Sequence, residues 1–318
     1  MQIKLGMPEG LLHAAPTLVA LGRGYFERDG LDVQALNAGS HYFSIPAIAS
    51  GEMDVSPQGP LLDFFRAWDP KRPMIWVADQ GSVRAGHGEA AIVARTALVE
   101  SGALKDYADL KGKRIGLSHV RGDHDWMTLG AALRQGGLTF DDVEIVICDF
   151  GEERHRALAE GRIDLATVGR LRSQRQGRES GAFVVWRHEH EFRERQERAI
   201  TFSFRFWTER PDEAQRFVTA YLHGLRDYYN AFERGIDRDG VLQVLAKQSG
   251  EPLEVLATEM VPTSVDPDGR MNVKAIQADL DFFRDQKLLE SDVPLDRLID
   301  QRYLETALAE LRRYGQLR

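Results

Sequence analysis

Short apolar runs alternate with helix-period segments over the first two thirds of the chain, and the last third carries helix-period segments alone. The first block predicts strands at 3–7, 32–36, 53–56 and 74–78, with helices at 15–28, 40–50 and 61–67. The alternation then restarts, with strands at 90–93, 113–117, 143–148 and 163–167 and helices at 125–135 and 153–160. Strands at 183–186 and 200–206 follow. Beyond Pro211, helices are predicted at 214–232, 240–247, 255–260, 273–286 and 301–314, with a turn-rich break at 262–270. Strands that alternate with helices predict an α/β fold with mostly parallel sheets.

The two blocks echo each other. Residues 47–59 read AIASGEMDVSPQG and residues 157–169 read ALAEGRIDLATVG, an offset of 110. Ala47/Ala157, Ala49/Ala159, Gly51/Gly161, Asp54/Asp164 and Gly59/Gly169 coincide. Upstream, a helix–Gly–Leu–strand unit recurs at 28–36 and 135–147. The matched order of two units predicts a duplicated α/β lobe. Two such lobes joined by crossing strands leave a cleft, and the loops after the strands become the candidate site, because helix N-termini point there.

With 318 residues the chain is long enough for about two domains. A net charge of −8 disfavours phosphate backbones, so no nucleic-acid partner is expected. No run approaches the ~18 apolar residues of a membrane span. The single cysteine, Cys148, excludes internal disulfides and zinc sites built on two or more cysteines. No leader pattern precedes the first strand. The expected location is periplasmic if a leader has been removed and cytoplasmic otherwise.

Four segments carry a family likeness: PTLVALGRGYFERDGLDVQAL, GSHYFSIPAIASGEMDVSPQG, DLKGKRIGLS and ALAEGRIDLATVG. Within them, Gly24–Val33 and Lys111–Gly116 are the most specific pieces. By these motifs, roughly residues 1–210 resemble the sulfonate/nitrate/taurine and thiamine-pyrimidine-precursor class of periplasmic binding proteins. The resemblance implies a two-lobed, type II periplasmic-binding-protein-like α/β fold with mixed, mostly parallel sheets and a ligand cleft between the lobes. It implies one lobe from 1–86 plus 200–318, including the helical C-terminal part, and the other from 87–199.

Ligand positions carried over by location fall in five places. The loop after the first strand offers Glu9 and His13, which either touch ligand or face solvent at the helix start. The next helix start offers Ser40, a plausible N-cap, and His41 in the first turn. Gln58 and Gly59 follow the echoed strand, and Gln80 occupies the matching spot one strand later. The run SHVRGDHDW at 118–126 departs from the small residues usual in anion-binding members. There Asp123 and Asp125 compete with an anion for the helix N–H groups, with Asp125 the expected N-cap. Arg121 offers a bidentate anion partner, and Trp126 either a stacking face or helix-start packing. His119, Asp123, His124 and Asp125 match no recognised metal spacing, and neither metal nor cofactor is expected. Arg170 closes the second echo, as a carboxylate clamp or a surface arginine.

No nucleophile elbow, P-loop or dinucleotide fingerprint is present. Cys148 falls in a predicted buried strand. Desulfinase-like relatives are expected to use a cysteine in the first lobe, and this chain has none there. The reading is a monomeric solute-binding protein that captures a small polar organic molecule for an ABC importer permease. The alternative is a cytoplasmic lyase or hydrolase on the same scaffold, acting on a small aromatic or carboxylate substrate with His41, His119 or His124 as acid or base.

Overall fold

The computed structural model describes residues 2–7, 14–39, 41–88, 90–148, 151–168 and 171–313. Ten strands form two five-stranded sheets. They are β1 (Ile3–Met7), β2 (Val33–Asn37), β3 (Val55–Gln58), β4 (Ile75–Val83), β5 (Ala91–Arg95), β6 (Arg114–Leu117), β7 (Glu144–Ile147), β8 (Leu165–Val168), β9 (Phe183–His188) and β10 (Arg195–Phe202). The helices are α1 (Ala15–Gly22), α2 (Tyr25–Arg28), α3 (His41–Ser50), α4 (Leu62–Ala67), α5 (Thr96–Glu100), α6 (His124–Gln135), α7 (Glu152–Ala159) and α8 (Leu171–Ser180). The C-terminal set is α9 (Phe204–Glu209), α10 (Pro211–Glu233), α11 (Arg238–Ser249), α12 (Leu253–Glu259), α13 (Val273–Asp285), α14 (Leu295–Leu298) and α15 (Arg302–Arg313).

The first sheet runs β2-β1-β3-β10-β4 and the second β7-β6-β8-β5-β9. In each, three parallel strands are followed by two antiparallel pairings. The internal echo is realised in this order: β3 and β8 lie 110 residues apart in sequence and hold the third place in their sheets. The sheets are mixed and mostly parallel in their first three strands, as the fold class required.

Apolar residues cover both faces of each sheet, as parallel strands require. One face of the first sheet packs Leu5, Val77 and Ile200 against Leu18, Phe217, Tyr221 and Leu308 from α1, α10 and α15. Its other face carries Trp76, stacked on Phe64 at 4.6 Å, with Phe283 of α13 nearby. The second sheet has matching clusters around Leu129 and Leu133 on one side and Leu158 and Ile163 on the other.

Two predicted segments take a different form. The helix expected at 15–28 divides into α1 and α2 because Gly24 is left-handed, with φ +69°. The strand expected at 200–206 instead runs from Arg195 to Phe202. Ser203 then accepts the Phe206 N–H at 3.2 Å and caps α9. The described part of the polar run, from residue 171 to 178, lies within α8.

The second sheet's α6 also packs on elements of the first. Gly122 lies against Leu62 of α4, Gly130 against Phe282 of α13, and Met127 joins the cluster around Trp76. Arg193, just before β10, is ion-paired with Asp279 of α13. Backbone crosses between the sheets after β4 and again before β10, where Gly86 N–H donates to His190 Nδ1 at 3.3 Å.

Candidate functional site

The loop from β6 to α6 departs from the anion-binding pattern, and the N–H groups at the start of α6 are bonded to its own carboxylates. Asp123, with φ −70° and ψ 168°, is the N-cap of α6 and accepts the His124 N–H at 2.7 Å. This corrects the expectation that Asp125 caps the helix. Asp125 instead turns inward and is fully buried. It accepts the Ser118 N–H at 2.7 Å, the Ser118 hydroxyl at 3.0 Å, the Trp126 N–H at 2.9 Å and an Arg154 N–H at 3.0 Å. Arg154 is 1% exposed and also donates to the carbonyls of Cys148 and Thr167. The Asp125 carboxylate thus takes up the Ser118, Trp126 and Arg154 donors at the start of α6.

Trp126 belongs to the core. Its indole N–H donates to the Ser118 carbonyl at 3.0 Å and its ring lies 5.6 Å from Phe140. Arg121 is exposed and lies 5.2 Å over that ring. The packing reading of Trp126 therefore holds, because a ring with its N–H bonded inward and one face under an arginine offers a ligand little surface. His119 is exposed. His124 Nε2 lies 3.1 and 3.2 Å from the two Glu189 carboxylate oxygens.

On the first sheet, Gln58 is buried and its amide nitrogen donates to Ser44 and Ser56 hydroxyls at 3.0 and 2.9 Å. Gly59 approaches β10 so closely that a Cβ there would lie 2.6 Å from the Glu197 carbonyl oxygen. Gln80 is fully buried; its Oε1 accepts the Thr17 hydroxyl of α1 at 2.7 Å, and its Nε2 has no hydrogen-bond partner among the described residues. Glu9, His13, Ser40 and Arg170 lie outside the described residues, and His41 is described only as the first residue of α3. Gln58 lies on β3, with Gly59 just after it, and Gln80 on β4, with β10 between the two strands, while Asp123 and His124 open α6.

Sequence reasoning missed the charged segment around β10. Glu189 is fully buried. It accepts the Thr128 hydroxyl at 3.0 Å and an Arg193 N–H at 3.2 Å, with Arg195 Nε at 3.5 Å. Burial alone would raise the Glu189 carboxyl; His124, Arg195 and Arg193 overcome it and hold the group well below the usual carboxylate range. Further along, β10 pairs Ala199 with Gln58 and Arg198 with Gly81. Gln80 falls at the irregularity on β4 between the pairings of Arg198 with Gly81 and Ala199 with Asp79, and Arg198 follows Glu197, whose carbonyl Gly59 approaches. Its Nε is buried with no hydrogen-bond partner. Among the described residues its guanidinium makes no ion pair within 4 Å. Burial holds Arg198 below the ordinary arginine value and Arg195 pushes the same way, while Glu197 and Asp123 pull it up. Glu197 itself accepts the Thr263 hydroxyl at 2.8 Å. The available signal was RERQER at 193–198, which puts charge on both faces of a strand that must enter a sheet.

A family model described as NMT1/THI5 like matches residues 87–233. No curated protein matches the chain. The Escherichia coli periplasmic aliphatic sulphonate binding protein SsuA superposes with a TM-score of 0.73 at 18% identity, covering 94% of this chain and 92% of that one. The Synechocystis periplasmic nitrate-binding protein NrtA gives 0.71 at 16% identity, covering 98% and 89%. The desulfurization enzyme DSZB gives 0.67 at 18% identity, covering 97% and 99%. The fold is the two-lobed α/β fold of the sulfonate and nitrate class of periplasmic binding proteins, and the resemblance read from the sequence is borne out. At these identities the likeness to solved structures defines the fold, and that fold serves a desulfurization enzyme as well as carriers.

Proposed function

We propose that this protein is a solute-binding protein that closes two lobes over a small polar organic molecule and delivers it to an ABC importer permease at the outer face of the membrane. The observation that carries the reading is the pair of buried donors Gln80 Nε2 and Arg198 Nε, without a partner among the described residues, on β4 and β10 of the first sheet, the strands that lead into the crossings. Buried polar atoms are nearly always satisfied, and these two, among eleven such atoms in the described residues, lie on the strands that lead into the crossings. The lobes are proposed as 1–86 with 195–318, and 87–194, the boundary moving from 199 because β10 pairs from Arg195 onward in the first sheet, with flexing at the two crossings. Among the described residues no helix is long and apolar enough to cross a membrane. Periplasmic location and a monomeric carrier fit this role.

Five tryptophans make fluorescence the direct assay. Titration with the small-molecule fraction released from the purified protein should give a saturable change, and the ligand should be recovered unaltered. Chemical conversion of the ligand would replace this reading with an enzyme.

One observation favours the enzyme reading: His124 is held by a buried carboxylate, the arrangement that orients an imidazole for proton transfer. It would act in a lyase or hydrolase, and His124→Ala would then abolish turnover while leaving binding. Against thiol chemistry, the one cysteine is buried and burial raises its pKa.

A further inference from the structure

We propose that Asp79 is a proton-operated latch on the strands that join the two lobes. As a carboxylate it ties the 262–270 loop and β10 to β4; on taking up a proton it lets go of Asp266 and frees the crossings to flex. The latch rests on the lobe flexing of the carrier reading and not on what the cleft holds. Its parts lie where β4 and β10 depart from a regular ladder, since their pairing shifts between Gln196 and Arg198 and again between Arg198 and Ala199. Asp79 is fully buried. Its Oδ1 accepts the Gly81 N–H at 2.9 Å and a Gln196 Nε2 hydrogen at 2.6 Å, and its Oδ2 accepts the Asp266 N–H at 2.8 Å. One carboxylate thus joins the end of β4, β10 and the loop. The connection continues toward the second sheet. Gln196 Oε1 accepts the Asn272 N–H at 2.7 Å, and Asn272 caps α13 by accepting the Ala275 N–H at 3.1 Å. Phe282 of α13 lies against Gly130 of α6.

All three side-chain partners donate, so an added proton must displace an N–H. Oδ1 holds two donors and Oδ2 one, so the proton goes to Oδ2 and the bond lost is that from Asp266. The Asp79 N–H bond to the Gly269 carbonyl, at 2.8 Å, is untouched, so the loop loosens at Asp266 without leaving. Burial pushes the Asp79 carboxyl up to about 6, which puts the change between the two forms at mildly acidic pH. The groups that face it are Gln196 of β10, Asp266 of the loop, whose charge raises it further, and Tyr221 of α10, whose hydroxyl donates to the Asp79 carbonyl. The neighbouring Gln80 is bonded to Thr17 of α1, and both are neutral.

The test compares full-length wild type and Asp79→Asn by residue-resolved amide hydrogen exchange at pH 7.5 and pH 5, corrected for the intrinsic rates. In wild type the Asp266 amide should lose about tenfold or more in protection at the lower pH, while the Gly81 amide keeps its own. Asparagine keeps an oxygen for the two Oδ1 donors and turns an NH2 toward Asp266. The variant should therefore show low Asp266 protection at both pH values. His87, His188 and His190 also lie at the crossings, and this comparison separates their titration from that of Asp79. Asp266→Asn keeps the backbone N–H and removes the neighbouring charge, so it should move the loss of protection to lower pH; it keeps the test open if Asp79→Asn does not fold. Spin labels on Glu52→Cys and Glu160→Cys, both exposed and in different lobes, report lobe separation, and the native Cys148 is buried. Their distance distribution should widen in wild type at pH 5 and in Asp79→Asn at pH 7.5. The proposal is overturned if the wild-type Asp266 amide stays protected at pH 5, or if Asp79→Asn keeps wild-type protection at pH 7.5. It is also overturned if Asp266→Asn leaves the transition where it was, or if protection is lost with no change in the label distances. Label distances that respond to a copurified ligand and not to Asp79 would overturn the latch and leave the carrier reading standing.

Discussion

Glu189→Gln is the sharpest probe of how the two lobes are joined. Glu189 is fully buried and draws together His124 and Thr128 of α6 with Arg193 and Arg195 of the second crossing. Through Arg193 it is linked to Asp279 of α13, and Arg193 and Arg195 are themselves largely buried. Glutamine keeps the shape and one carbonyl acceptor, but removes the anion that Arg193 and Arg195 share, leaving Arg193 with Asp279 and Arg195 with Glu197. Breaking a buried charge pair on one side costs about 3–5 kcal/mol. The folded-state pKa of Glu189 is depressed, so its contribution is present above the unfolded value near 4.3 and is lost as pH falls through the folded value. Urea unfolding at pH 7 should therefore separate wild type from Glu189→Gln by about 3–5 kcal/mol. That gap should narrow as the pH is taken well below 4. A difference under about 1 kcal/mol at pH 7, the range of a surface pair, or a gap that does not move with pH, would refute the reasoning.

Other consequences are simpler to check. Gly59→Ala places a Cβ 2.6 Å from the Glu197 carbonyl oxygen, so β3 and β10 must separate; ligand affinity should drop and stability fall by about 1–3 kcal/mol, read by titration and urea melts. Cys148 is buried and its thiol pKa is raised, so Ellman's reagent should leave the native protein unmodified at pH 7 and label one thiol per chain in urea. Burial pushes Asp79 up to about 6, against N–H donors from Asp266, Gln196 and Gly81 that favour its charged form. A raised carboxyl stabilises the fold below its unfolded pKa and loses that effect as pH rises. The advantage of wild type over Asp79→Asn should therefore shrink by about 3 kcal/mol between about pH 4 and 6, measured by urea melts across that window.

The sequence by itself determined the strand-and-helix order, because apolar spacing records which side of each element is buried. The clearest case is the 110-residue echo, whose strands hold the same place in both sheets. It also identified the 118–126 run as atypical for an anion-binding turn. Composition and spacing did not reveal which carboxylate would cap and which would turn inward. Asp123 and Asp125 are both good cap residues, and only Arg154, arriving from α7, decides that Asp125 is the buried one. Arg198, Glu189 and Asp279 gave no periodic signal, since a charged strand reads as loop until its partners are in place. Their roles come from contacts between segments about 60 to 120 residues apart, such as Glu189 with His124 and Arg198 with Gly81. Local pattern sets what each segment can form. Where charge is matched and where it is left unmatched follows from long-range packing, because the energy of a buried charge depends on every group around it.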